Sequence, residues 1–113
     1  MTVQYKNQGF SLTTTNLTTI LTINTSSVGL IKSMPITNEH NNNVETHVYI
    51  HDASAGTDYE FFHDELEADS TTKGVDGVLN LEAGDSIKIQ VDLANTVNGV
   101  ISYALIDRSQ ENG

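Results

Sequence analysis

The 113-residue chain has no cysteine, no tryptophan, one proline and only five Lys and Arg. The missing thiols exclude disulfide staples, thiolate metal ligands and a cysteine nucleophile. Fifteen Asp and Glu bring the formal net charge to -10, which argues against nucleic acid as a partner, because phosphate binding needs clustered Lys and Arg. No stretch approaches the roughly 18 consecutive apolar residues of a membrane span. Met1-Thr2-Val3-Gln4-Tyr5-Lys6 carries no apolar signal-peptide core, so neither membrane nor export is expected. At about 100–150 residues per domain, the length fits one domain with one modest core.

Abundant instead are Thr, Ser and Asn, at 14, 9 and 11 residues. They compete with helical hydrogen bonding; Thr favours strands and Asn favours turns. Apolar residues alternate along much of the chain. Phe10, Leu12 and Thr14 share one face, and Leu17–Ile23 follows with Thr19, Leu21 and Ile23 together. Residues 24–27 form a turn cluster. Val28 to Asn38 reads as one strand, with Pro35 marking an edge position or a bulge. After the polar loop 40–43, Val44, Thr46, Val48 and Ile50 oppose Glu45, His47, Tyr49 and His51. Residues 52–57 read as a hairpin connection into Tyr59–His63.

The acidic stretch 64–69 has room for one helical turn, and residues 69–77 read as loop. Leu79 and Leu81 mark a short strand, and Ala83-Gly84-Asp85 a tight turn. Ile87, Ile89, Val91 and Leu93 give the cleanest alternation, and Asn98-Gly99 leads into a final strand to Ile106. Seven or eight short antiparallel strands, spaced about ten residues apart, predict an all-β chain: a single β-sandwich or jelly-roll-like domain over residues 9–107. Residues 1–8 are expected to be a flexible N-terminal arm and 108–113 a polar tail. The last two strands, adjacent in sequence, are expected to pair antiparallel.

Four constellations bear on chemistry. His47, Tyr49 and His51 share a strand face, and two imidazoles about 7 Å apart could share a transition-metal ion, with Asp52 or His63 completing the set. Any amphipathic strand gives the same spacing, so no metal or cofactor is expected, and His47 and His51 are the positions to inspect. Asp52-x-Ser54-x-Gly56-x-Asp58 places oxygens at alternate positions like a short Ca²⁺ loop, but it lacks the glycine position and the bidentate Glu of an EF-hand. Asp64, Glu65, Glu67 and Asp69 read as a solvated face or a patch for a basic partner rather than as catalytic carboxylates. No Gly-x-Ser-x-Gly elbow accompanies the Ser, His and Asp residues, and no enzyme is expected. The two Asn-x-Ser/Thr sequons, at Asn16 and Asn24, fall in a Thr- and Asn-rich chain where chance produces them.

Five pieces carry a family likeness: Leu17-Thr18-Thr19-Ile20, Val28-Gly29-Leu30-Ile31-Lys32-Ser33, the 52–57 hairpin, Leu79 to Ile89 with its Leu81-x-x-Gly84-Asp85 turn, and Val100-Ile101-Ser102-Tyr103. In these the chain resembles the small β-sandwich virion structural proteins of tailed bacteriophages, of the capsid decoration (cement) or neck and tail accessory type. The resemblance implies a non-enzymatic virion protein, made in the host bacterial cytoplasm and placed on the capsid surface. It implies that the protein binds and stabilises the assembled head, with the major capsid protein or other virion proteins as partners. It also implies a symmetric homo-oligomer, most simply a trimer. Val3, Tyr5, His47, Tyr49, His51, Asp64, Glu65 and Glu67 are the expected partner-binding residues. The alternatives are a neck, tail or baseplate accessory role and a carbohydrate- or receptor-binding module. Seven aromatics and no Trp weigh against the last.

Overall fold

Strands with one apolar face must bury it against another layer. In the computed structural model, which describes residues 2–108, ten strands do so in two antiparallel sheets. They are β1 (Thr2–Ser11), β2 (Thr18–Thr22), β3 (Ser27–Ser33), β4 (Pro35–Asn38), β5 (Val44–Asp52), β6 (Thr57–Leu66), β7 (Ser70–Lys73), β8 (Leu79–Leu81), β9 (Ser86–Val91) and β10 (Val97–Asp107). No helix occurs among the described residues. The architecture is the expected all-β sandwich, with more strands than the seven or eight predicted.

One sheet runs β2–β9–β5–β6. The other is organised around β10, which pairs β1 along one edge from Thr2↔Asp107 to Ser11↔Asn98. Its other edge takes β3 and then β4, and these pair in turn with β8 and β7. The core lies between the sheets. Ile87 and Ile89 of β9 and Val44 and Val48 of β5 join one cluster with Ile31, Ile36, Leu81 and Ile101 of the opposite layer, all fully buried. Each such side chain contributes about 1.5–3 kcal/mol by leaving water. Gly29 of β3 packs tightly under Ile23: a Cβ there would lie 2.7 Å from Ile23 Cδ1.

Four expectations need correction. Residues 2–8 are not a loose arm but most of β1, because β10 offers them a full-length antiparallel edge. Val28–Asn38 is not one strand; it breaks at Met34, ahead of Pro35, which has no N–H for the ladder. The last two strands do not pair. β9 and β10 lie in different sheets, joined by a crossing segment in which Asn95 takes a positive φ of 65° and donates its N–H to Leu12 O at 2.8 Å. Two strands with one apolar face each can share a core by facing each other across it, and these do. The stretch 64–69 forms no helical turn: β6 continues through Leu66, Asp69 turns with φ 53°, and β7 follows where loop was expected. Of the expected tail, residues 109–113 lie outside the described residues.

Candidate functional site

The alternation of β5 decides which side chains leave the core. Val44, Thr46 and Val48 are buried, so Glu45, His47, Tyr49 and His51 stand on the outer face of the second sheet. What meets them there is set by β6. Register pairs Glu45↔Glu65 and His47↔His63, then slips at a bulge between Val48 and Tyr49, and resumes as Tyr49↔Glu60 and His51↔Asp58. The extra residue changes which β6 positions share the outer face. Glu60 and His63, three apart and on opposite faces of a regular strand, thereby converge on His47.

The cluster is tight. Glu60 Oε2 lies 2.6 Å from His47 Nδ1, and Glu60 Oε1 lies 3.5 Å from His63 Nδ1. On the far side of the rings, Glu45 Oε1 is 3.2 Å from both His47 Nε2 and His63 Nε2. The imidazole centroids are 4.1 Å apart, and the Tyr49 ring stacks on His47 at 6.4 Å. Hydrogen bonding to His47 holds the Glu60 carboxyl below its ordinary value, and Tyr49 adds to this. Partial burial, together with the Glu60 carboxylate, raises the Tyr49 phenol. Glu45 and His47 also form one wall of an open cleft of about 340 Å³, completed by Thr15, Gln90, Val91 and Asp92.

His51, the other position to inspect beside His47, bonds to different partners. His51 Nδ1 lies 2.6 Å from Asp58 Oδ1, and Lys88 Nζ lies 3.2 Å from the same oxygen. The bond from His51 holds the Asp58 carboxyl down, with Lys88 adding to it. Asp52, the other proposed ligand, is committed to the hairpin: its Oδ1 accepts from Ser54 N at 3.1 Å, Ser54 Oγ at 2.7 Å and Ala55 N at 3.3 Å. These bonds lower its carboxyl, the Ser54 hydroxyl most. The 52–58 segment is therefore an Asx-type hairpin turn with Gly56 at φ 65°. Of the donors weighed in the sequence, His47 and His63 come together, and His51 and Asp52 bond to other partners. Alternation already puts Glu45 on the His47 face, though without singling it out as a ligand; Glu60 is missed because the register and bulge that place it leave no local signal.

A second feature is the pair of long sheet edges. β1 and β6 each span ten residues and each end a sheet, with no further strand beyond them among the described residues. β1 is exposed at nearly every position; Val3 is 47% and Tyr5 76% exposed, and Lys32 Nζ sits 5.1 Å from the Tyr5 ring centroid. β6 carries Asp58, Glu60, Asp64 and Glu65, and Glu67 follows it; Asp64, Glu65 and Glu67 are exposed.

No family model matches the chain, and no curated protein matches it. Solved structures do. One, a Bacillus endospore appendage from a family described as disulfide-linked pili, aligns over 95% of this chain and 88% of its own at 12% identity, with a TM-score of 0.55. The infectious bursal disease virus Gx strain structure aligns over 96% of this chain and 33% of its own at 12% identity and a TM-score of 0.49. The cyanophage Pam1 capsid aligns over 92% of this chain and 81% of its own at 16% identity and 0.33. The first likeness shows a shared β-sandwich over almost the whole chain; the other two add nothing to it. These 113 residues contain no cysteine, so the disulfide linkage named for the pilus has no counterpart in them.

Proposed function

We propose that this domain is a non-catalytic assembly module, a decoration (cement) subunit of a tailed-phage head that associates through its long edge strands. The observation that carries this reading is β1. Ten residues of strand with an open outer edge, carrying a single charge at Lys6, make a template for another strand. The remaining sheet ends, β2, β7 and β8, are only five, four and three residues long. β6 is as long as β1 but acidic, so two β6 edges repel and a β1 edge with Lys6 and Lys32 nearby is the better complement. A β1-to-β6 contact joins two different surfaces, and such a contact closes into a ring when the rotation allows. A threefold ring is the simplest product and suits a symmetric position on a head, with the major capsid protein beneath it. The phage setting itself rests on the sequence resemblance.

Native mass spectrometry tests the assembly. The chain is expected as a closed oligomer, a trimer first, and Lys6→Glu with Gln8→Glu is expected to leave a folded monomer. Quantifying the chain in separated heads and tails tests the setting: enrichment with heads at high copy number supports decoration. A monomer at all concentrations would remove the edge-pairing reading. A few copies following the tails would move the role to the neck or baseplate.

A further inference from the structure

We propose that Glu45, His47 and His63 bind a divalent transition-metal ion of the zinc type, with Glu60 as the carboxylate that orients both imidazoles. The three donors offer one ligand atom each, all within 4.8 Å of one another. Glu45 Oε1 stands 3.2 Å from each Nε2. That spacing is close to the edge of the ligand tetrahedron around zinc, about 3.3 Å for metal–ligand bonds of 2.0–2.1 Å. Two imidazole nitrogens and one carboxylate oxygen suit zinc, cobalt, nickel or copper rather than calcium or magnesium.

The second layer is built as a metal site needs it. Each Nδ1 faces Glu60, at 2.6 Å for His47 and 3.5 Å for His63. A donor bond from Nδ1–H to a carboxylate fixes the tautomer with its Nε2 lone pair outward, and it strengthens that nitrogen as a ligand. Both rings thus present the same nitrogen to the same carboxylate. Tyr49 stacks against His47 and limits its rotation. The cleft beside Glu45 and His47 leaves a fourth position open to water or to a group from another molecule. Glu45 and His47 lie on β5, and Glu60 and His63 on β6, the strand whose free edge the assembly reading pairs with β1.

Titration of the full chain with zinc sulfate, followed by calorimetry and by the visible spectrum of the cobalt-substituted protein, tests this. One ion per chain is expected, together with a rise in melting temperature on adding zinc. His63→Gln, at a ring 54% exposed and so tolerated by the fold, is expected to weaken binding by at least about tenfold and to abolish the tetrahedral cobalt spectrum. Glu60→Gln is expected to weaken binding about tenfold, because the neutral amide orients the imidazoles less well. His51→Gln is expected to leave binding unchanged. Absence of a bound ion, or affinity and stoichiometry that survive His63→Gln, would overturn the proposal.

Discussion

The side-chain amide of Asn38, at the end of β4, donates to the carbonyl of Leu66, the last residue of β6, at 3.0 Å, tying one sheet to the other. The same Nδ2 reaches Asn42 O at 2.9 Å and Glu67 O at 3.2 Å, while Oδ1 accepts from His40 N at 2.9 Å. Asn38 is fully buried, so its own amide depends on these partners for satisfaction. Asn38→Asp replaces the amino donor with an acceptor aimed at carbonyls. It is expected to destabilise the domain by about 2–4 kcal/mol, read as a lower urea midpoint. Retention of the wild-type midpoint would show that the bridge carries no energy.

Asp85 closes the opposite end of the sandwich. Its carboxylate accepts from Ala53 N at 3.0 Å and Glu82 N at 2.9 Å, and it is 4% exposed. Gly84, at φ 84°, supplies the turn that aims it. Asp85→Ala strands two backbone donors and is expected to cost about 2–3 kcal/mol. Amide exchange should rise first at Ala53 and Glu82.

Ile89 is fully buried in the centre of its sheet, between β2 and β5. Ile89→Asp places an unpaired charge among apolar side chains, at a cost of several kcal/mol or more, roughly the whole stability of a small domain. Loss of sheet circular dichroism is expected. A soluble variant with unchanged melting would refute the strand face.

Phe10 anchors β1 by lying over Gly99 of β10, its register partner. A Cβ at Gly99 would come within 2.6 Å of Phe10 Cζ and 2.6 Å of Pro35 O. Gly99→Val is therefore expected to lever β1 and β4 away from β10, at about 1–3 kcal/mol. Hydrogen exchange should quicken in residues 2–11 before it does in β9.

Acid stability should follow the β5–β6 carboxylates. Asp58 and Asp52 both sit below the ordinary value of 3.8 in the folded chain. Depressed carboxylates stabilise the fold above that value, and the contribution is lost as pH falls through the lower folded value. The effect is small, because about a third of the Asp58 side chain meets solvent. Urea midpoints from pH 7 to pH 2 should decline below about pH 4, and less steeply in His51→Gln, which removes the main cause of the Asp58 shift.

How much of this is legible in the sequence varies with the range of the interaction. The strand faces of β5 and β9, the 52–57 hairpin and the Gly84-Asp85 turn can be read directly, because alternation and turn chemistry act within a few residues. The buried set Ile87, Ile89 and Val91 follows from that alternation alone. β1 is hidden, since its polar, almost wholly exposed residues carry no burial pattern; only the edge of β10 makes them a strand. The His47 cluster is half visible: alternation puts Glu45 beside His47, but only the ladder brings His63 and Glu60 to them.

The sequence by itself determined that the chain is an acidic, cysteine-free β-sandwich, because composition and period-two patterning act locally. Tertiary structure alone decided which edges meet. The placement of β9 and β10 in separate sheets depends on the crossing turn at Asn95. The arrival of Glu60 beside His47 and His63 depends on one bulge in the β5–β6 ladder. A one-residue slip there returns Glu60 and His63 to opposite faces.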